Sequence, residues 1–487
     1  MMGRSSTHGW RMLSAALALG TVLTAAQAFA LPAFARKYGM SCTACHEAWP
    51  KLNAQGWNFR DQGYQWGAGK DSPIKLDPAY WPIAYRQTVG YQFTSATNQT
   101  TTQPTPLNPA GPHTIRTGRI GITGVDLLFV GTLTNNVSFL FTYEPLLTNA
   151  NFGIEFPNQG SAITNPGEGG YFESAWVRFD NLLGTPFLNL KVGRGALDLA
   201  FDEHRSFFIF NNSYAVYHFH TPGSYNPFEL GTNQWQLSLE GHNERSTFRY
   251  ALTYFQTQND PGSEGLLASP GVFGHVQYTF FPAHKGLAEL RLGLFGVAGS
   301  FATQAQYSAP DMNGNTSGPI AANPTGIVAN TAFDNAPYFR EGLDIDLKFV
   351  QLATPLDLRI LAVAGQENRK LSIYGSSAEG LLNPQQDAMW AGGLAELDWT
   401  PVLNFTLALR YDFARNTQQV DTTPGNLPLH EGDIDNMGLS ARYQIDIIPR
   451  AGTALMVELD RKVGYLNAYG GNTSEEYIAF GGLDFAF

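Results

Sequence analysis

Phe405-Thr-Leu407-Ala-Leu409-Arg-Tyr411-Asp-Phe413 alternates without a break. Phe405, Leu407, Leu409, Tyr411 and Phe413 share one face, and Thr406, Ala408, Arg410 and Asp412 share the other. A period of two is the signature of a β-strand, whose successive side chains point to opposite faces. Charges in the middle of an otherwise apolar strand place its second face in water. Leu439-Ser-Ala441-Arg-Tyr443-Gln-Ile445-Asp-Ile447 repeats the pattern, as do Trp235-Gln-Leu237-Ser-Leu239 and Leu343-Asp-Ile345-Asp-Leu347-Lys-Phe349. A lipid-facing outside around a polar lumen satisfies it. A two-sheet sandwich also solvates one face, so one strand alone leaves both architectures open.

Strand number and spacing separate them. Strands are predicted at 82–95, 117–131, 136–145, 170–181, 186–200, 234–242, 246–257, 271–282, 286–302, 337–350, 354–369, 388–400, 402–415, 433–448, 450–463 and 474–487, sixteen in all. Short gaps at 132–135, 182–185, 243–245, 283–285, 351–353, 401 and 449 alternate with long ones at 96–116, 146–169, 201–233, 258–270, 303–336, 370–387, 416–432 and 464–473. An even count with short periplasmic turns and longer extracellular loops is the pattern of a bacterial outer-membrane barrel, and a Greek-key sandwich does not produce it. In the last strand Tyr477, Ala479, Gly481, Leu483, Phe485 and Phe487 share a face, and a terminal aromatic of this kind looks like the assembly signal of such barrels. The expectation is a transmembrane barrel of about sixteen antiparallel strands over 79–487, with both mature termini on the periplasmic side.

Composition agrees. Of 487 residues only 15% are charged, while 13% are aromatic, with 33 Phe, 21 Tyr and 51 Gly. Soluble domains carry roughly 25% charged residues. After residue 30 no run reaches the roughly 18 consecutive apolar residues that a membrane helix needs. A net charge of −11, with no run of Lys and Arg that would form a phosphate-binding patch, argues against a nucleic-acid partner. Residues 1–30 read as a secretory signal peptide. Arg4 and Arg11 precede an apolar stretch, Met12 to Ala26, and small residues stand before cleavage positions after Ala28 or Ala30.

The chain's two cysteines fall in Cys42-Thr43-Ala44-Cys45-His46, the attachment pattern of a c-type haem. The spacing suits two thiols adding to the two vinyl groups on one haem edge, with the adjacent His reaching the iron. A thioredoxin-like pair or a simple disulfide explains neither the His nor the absence of other cysteines. The segment 31–78 is therefore expected to be a mostly helical or irregular cytochrome c segment with one covalently bound haem. Chains of this size rarely bury a core alone, so it is expected to dock at or in the lumen. Trp49, Trp57, Phe59, Tyr64 and Trp66 either cover part of the haem or pack on each other. No sixth ligand is evident, since Met40 lies on the attachment edge and the other His and Met residues follow residue 110.

From Leu31 to Tyr64 the chain resembles the fused cytochrome–porin family of outer-membrane proteins, best known from iron-oxidising bacteria. The shared pattern is a small apolar start, Phe34-Ala-Arg, the Cys42–His46 motif, Pro-x-Leu-Asn at Pro50–Asn53, and the closing Gly63-Tyr64. Beyond residue 64 the resemblance is architectural. It implies an outer-membrane cytochrome that takes electrons from extracellular Fe(II) and passes them to a periplasmic carrier, a cytochrome or a copper protein. Such a protein acts as an Fe(II) oxidase, or iron:cytochrome oxidoreductase. Cys42 and Cys45 would carry the thioether links and His46 the proximal bond to iron.

The connection 201–233 holds Asp202, Glu203, His204, His218 and His220. His204, His218 or His220 can serve as a distal haem ligand if this loop folds inward, or the group can hold Fe(II); otherwise it is a polar loop in a wet pore. Asp344, Asp346, Asp412 and Asp446 either attract Fe(II) or simply line the lumen. Two further functions fit the same sequence: electron export to an extracellular acceptor, and a diffusion porin with the haem segment as a structural plug.

Overall fold

A computed structural model describes residues 33–38, 40, 42–48, 50–66, 82–100, 112–144, 171–211, 213–221, 226, 228–257, 269–281, 287–303, 334–349, 354–368, 387–402, 404–417, 432–445, 452–466 and 472–486. The signal-peptide region, Trp49, Asp446, Phe487 and most of each remaining long connection lie outside them.

The N-terminal segment contains helix α1 (Ala33–Tyr38), a 3-10 turn (Cys42–Ala44), the two short strands β1 (His46–Ala48) and β2 (Lys51–Leu52), and helix α2 (Ala54–Asp61). Sixteen long strands follow: β3 (Ile83–Thr100), β4 (Pro112–Thr134), β5 (Val137–Glu144), β6 (Tyr171–Phe179), β7 (Asn189–Gly195), β8 (Gln234–His242), β9 (Phe248–Thr257), β10 (Ser269–Phe280), β11 (Leu287–Thr303), β12 (Asp334–Phe349), β13 (Leu356–Glu367), β14 (Ala388–Val402), β15 (Phe405–Asn416), β16 (Ile434–Gln444), β17 (Gly452–Leu466) and β18 (Asn472–Ala486). Each pairs antiparallel with its sequence neighbours, and β18 closes on β3 from Ala486 against Arg86 to Glu476 against Ala96. All sixteen predicted strands are present.

Closure leaves no unpaired edge, and the side chains are sorted as a hydrocarbon surround requires. Leu409 and Tyr411 of β15 are exposed on the outer face, while Thr406, Ala408, Arg410 and Asp412 between them are buried inside. Outward Leu292, Leu294, Leu455, Val457 and Leu459 extend the apolar surface around the barrel. No helix among the described residues is long and apolar enough to cross a membrane. Any crossing is therefore made by strands. Both Ile83 and Ala486 lie at the end of the barrel that carries the short turns.

Two expectations about the lumen need correction. The connection after β7 is not an outer loop, because it folds into the bore. Leu197, Leu199, Phe201, Tyr214, Val216, Tyr217, Phe219 and Phe228 form one buried cluster with inward-facing Phe255, Phe273, Phe295, Tyr338 and Trp390. Part of the lumen beside β9 to β15 is thus filled by an apolar cluster instead of open water, while charged residues such as Arg340, Asp344, Arg410 and Asp412 still line the wall around it. The cause is the connection's own content: each aromatic buried there contributes about 1.5–3 kcal/mol, a gain that exposure would forfeit. Polar groups of the wall take up the loop's backbone. Glu458 accepts the amides of Ile209, Phe210 and Asn211 at 2.5, 2.8 and 3.0 Å. Asp412 accepts the Ala215 amide at 2.6 Å, and Arg340 donates to the Phe228 carbonyl at 2.9 Å. Short helix α3 (Ala215–His218) sits within this in-folded stretch.

Candidate functional site: the Cys42–His46 turn and its mount

The turn is held by the residues that follow it. The Cys45 amide donates to the Cys42 carbonyl at 3.2 Å, and His46 opposite Leu52 starts the β1–β2 ladder. Asn53 joins the turn to α2 three times. Its amide donates to the Cys45 carbonyl (2.9 Å), its Nδ2 to the Ala44 carbonyl (3.1 Å), and its Oδ1 caps α2 by accepting the Gly56 amide (2.9 Å). Gly56 lets the helix approach, since a Cβ there would lie 2.1 Å from the Cys45 carbonyl oxygen. Gly63, at φ +78°, then ends the helix in a left-handed turn, where a side chain would also meet the Asp180 carboxylate.

His46 donates from Nδ1 to the Pro50 carbonyl at 3.0 Å. A carbonyl can only accept, so the lone pair belongs on Nε2. This is the arrangement that orients metal-bound imidazoles generally. Burial first, and then the positive charge of Arg205, hold the His46 pKa down at about 4, so the ring is neutral under ordinary conditions. Cys42 and Cys45 are half-buried and not joined in a disulfide, and burial pushes the Cys45 thiol up. Two thiols in one turn beside a neutral, oriented imidazole form a donor set that fits a haem c.

The segment is clamped inside the short-turn end of the barrel. Lys51, buried at 3% exposure, reaches Asp357 of β13 at 2.5 Å, Asp398 of β14 at 2.8 Å and its own neighbour Glu47 at 3.0 Å. Glu47 also pairs with Lys348 of β12. Arg60 pairs with Asp198 at 2.9 Å, and Asp61 with Arg249 of β9 at 2.9 Å. The last carbonyls of α2 receive Arg178 (2.8 and 3.1 Å) and His242 (3.0 Å), cations and donors where the helix dipole is negative. Phe59, Tyr64 and Trp66 pack with Phe34 and Tyr38, and Tyr64 stacks on Trp176 of β6 at 6.2 Å. Trp57 lies instead under Arg60, Arg249 and Arg291 at 4.4, 5.2 and 5.8 Å. These aromatics fasten the segment to the wall.

Of the predicted site residues, the structure brings His218 and His220 together and leaves His204 apart. His218 bonds Glu203 through Nε2 (2.8 Å) and Glu229 through Nδ1 (2.7 Å), and His220 bonds the other oxygen of Glu229 (3.0 Å). Burial disfavours the charged form of His218, but the two carboxylates outweigh it and raise its pKa to about 10. Burial likewise opposes ionisation of Glu229, and the hydrogen bonds from His218 and His220 hold it down at about 2. His204 bridges Asp202 (Nδ1, 3.0 Å) and Glu173 of β6, whose charge raises its pKa well above the usual range. Among the described residues no group of three or more His, Cys, Asp or Glu is arranged to hold a metal ion. Asp344 is engaged by His275 (3.2 Å), Asp346 by Arg291 (3.3 Å) and Asp412 by the in-folded loop.

Lys51, Asn53, Arg60 and Asp61 were not singled out from sequence as functional residues. The available signal was the set of inward carboxylates, Asp357 and Asp398, next to short turns, which require a buried cation.

Comparison with known proteins gives a fold likeness. No family model and no curated protein matches the chain. Solved structures that resemble it include OprB of Pseudomonas putida (13% identity, TM-score 0.43, covering 83% of this chain and 94% of that one). Another is an anion-selective porin from Comamonas acidovorans (10% identity, TM-score 0.47, covering 83% and 99%). OmpF of Salmonella typhi in complex with daunomycin is a third (11% identity, TM-score 0.41, covering 83% and 97%).

Proposed function

We propose that the protein is an outer-membrane electron conduit that carries one covalently bound haem in the bore of its barrel. It takes electrons from extracellular Fe(II) and hands them to a soluble periplasmic carrier. The observation that supports this reading is the mount: the Cys42–His46 turn is not on a tether but is clamped by buried ion pairs inside the short-turn end of the barrel, the end this reading takes as periplasmic. Cys42 and Cys45 would hold the haem covalently, and His46 would ligate through Nε2 while its Nδ1–H stays fixed on Pro50. A haem bound there would supply one-electron redox chemistry at the periplasmic end of the bore. The chain's own part is to hold that donor set, to exclude bulk water with the Phe34–Phe59–Tyr64 cluster, and to fill the remaining bore with the in-folded loop. Fe(II) then has no need to cross.

Purified protein mixed anaerobically with Fe(II) should give a reduced c-type spectrum, which Cys42→Ala and His46→Ala abolish. A wild-type protein that holds haem but is not reduced by Fe(II) refutes the reading.

One observation favours a diffusion porin instead. Asp202, His204, His218, His220 and Glu229 are partly exposed along the in-folded loop, so its inner surface is a polar strip, as in a narrowed aqueous pore. Planar-bilayer conductance separates the two. The conduit should pass little current, and a large, steady open channel supports the porin.

A further inference from the structure

Every second residue of β17 faces the bore, so Glu458, Asp460 and Lys462 form one inward row, crossed by the in-folded loop at 208–211. Glu458 is spent on the amides of Ile209, Phe210 and Asn211, and Lys462 donates to the Phe210 carbonyl at 2.7 Å. Asp460, between them, has no such partner. It is 4% exposed, and among the described residues neither of its carboxylate oxygens receives a hydrogen bond. Asn211 is 1% exposed, and both its side-chain oxygen and its side-chain nitrogen are without a partner. The two unsatisfied groups meet at one place. Gly438 stands opposite Asp460 in the β16–β17 ladder, and a Cβ on it would lie 2.8 Å from Asp460 Oδ1 and 3.0 Å from Asn211 Nδ2. The Asn211 backbone is meanwhile fixed on Glu458 Oε1 at 3.0 Å. The bare Gly438 thus lets a carboxylate and a carboxamide face the same point, beside a second carboxylate. Burying an ionised carboxylate with neither donor nor cation is far more costly than burying it paired. The cations at neighbouring positions are engaged elsewhere: Lys462 on Phe210, and Arg410 on Glu396, Ser206 and the Asn211 carbonyl.

We infer that Asp460 and Asn211, with Glu458 beside them, hold a hard divalent cation of the calcium class, and that this ion pins the in-folded loop to β17. Asp460 supplies carboxylate oxygen, Asn211 its Oδ1, and water the remaining positions. A half-turn of the Asn211 carboxamide exchanges its nitrogen and oxygen, so the oxygen can take the place that faces Asp460. Calcium accepts such a mixed set of oxygens at about 2.3–2.6 Å in adaptable geometry. Sulfur and imidazole are absent from the set, which disfavours the softer transition metals. The two carboxylates supply the charge that a divalent ion needs. The site does not depend on the haem reading, because a seated loop serves a conduit and a pore alike.

The test uses full-length protein in detergent, treated with a chelator, verified free of calcium by elemental analysis and then titrated with calcium. Hydrogen exchange of the peptide containing 209–211 is followed by mass spectrometry. Calcium at about ten times its Kd should slow exchange there by about tenfold. The β12–β13 ladder, remote from the site, should not change. Asp460→Asn and Asn211→Ala should lose the calcium response while that ladder stays protected. Asn211→Asp separates a cation from a plain hydrogen bond. A carboxamide that only donates to Asp460 would be replaced by a repelling carboxylate, and the loop would loosen with or without calcium. With a cation between them, the added carboxylate should seat the loop at least as firmly as in wild type once calcium is present. The proposal is overturned if calcium gives stripped wild type no protection, if Asp460→Asn keeps the full response, or if Asn211→Asp stays loose in calcium. Should Asp460→Asn fail to fold, Asn211→Ala carries the test, and an undiminished calcium response there overturns it.

Discussion

Glu458→Gln should free the in-folded loop from the wall while leaving the barrel closed. The Glu458 carboxylate is fully buried and accepts three successive amides, from Ile209, Phe210 and Asn211, at 2.5 to 3.0 Å. A hydrogen bond to a charged group contributes about 1.5–3 kcal/mol, against about 0.5–1.5 for a neutral one. Glutamine keeps the shape but turns one acceptor into a donor facing donors. Three bonds each losing about 1 kcal/mol or more give a local cost of about 3–4 kcal/mol. At about 1.4 kcal/mol per decade, the opening equilibrium of residues 209–211 should rise roughly a hundred- to a thousandfold. Hydrogen exchange in detergent, read by mass spectrometry over the peptide containing 209–211, measures this directly. The β16–β17 ladder serves as the internal control, because its backbone bonds do not involve the carboxylate. Unchanged protection of 209–211 in Glu458→Gln would refute the reasoning.

Three further outcomes follow from the same contacts. Gly56→Ala should sharply reduce covalent haem incorporation, measured by the haem stain of the purified protein, because the new methyl collides with the Cys45 carbonyl; full incorporation refutes the role given to this close approach. Lys51→Met leaves Asp357 and Asp398 without their shared cation, a loss of about 3–5 kcal/mol for a broken buried pair. The segment should then become cleavable by added protease while the barrel stays resistant, and a wild-type digestion pattern would sink the clamp argument. The His218–Glu229 bond should be fully engaged between pH 4.5 and 6.5. Below 6.5 the raised His218 contributes in full, and that contribution fades as pH climbs toward about 10. Above 4.5 the depressed Glu229 contributes in full, and that contribution fades as pH falls toward about 2. Exchange protection at residues 218–221, corrected for intrinsic rates, should weaken on either side, and a flat profile from pH 5 to 10 contradicts it.

The barrel was readable because its alternation is imposed by two unlike solvents. Leu409 and Tyr411 had to face lipid, and Arg410 and Asp412 had to face inward, so the period of two survives in almost every strand. The infolding of the connection after β7, seen in its described residues, was not readable by that rule, because a loop that packs by irregular knobs leaves no period. It did leave a compositional trace. Phe207, Phe208, Ile209, Phe210, Tyr214, Tyr217 and Phe219 are too many apolar residues for a solvated loop. Strands β9 to β11 carry Phe255, Phe273 and Phe295 on what should be a wet face. Read together, those two excesses point at each other. The Cys42–His46 turn announced itself by spacing alone, whereas its mount depends on pairs such as Lys51 with Asp357, which no local pattern reveals.

That last separation bears on how the molecule is made. Lys51 meets partners 306 and 347 residues further along the chain. The clamp therefore cannot form until β13 and β14 exist, and contacts so distant in sequence are slow to close. Until those strands have formed, the N-terminal segment stays undocked, and on the proposed reading its two thiols are then open to attachment of the haem. Once the bore shuts around it, that access ends. On the proposed haem reading, the connectivity sets an order of events: loading of the cofactor first and the clamp afterwards.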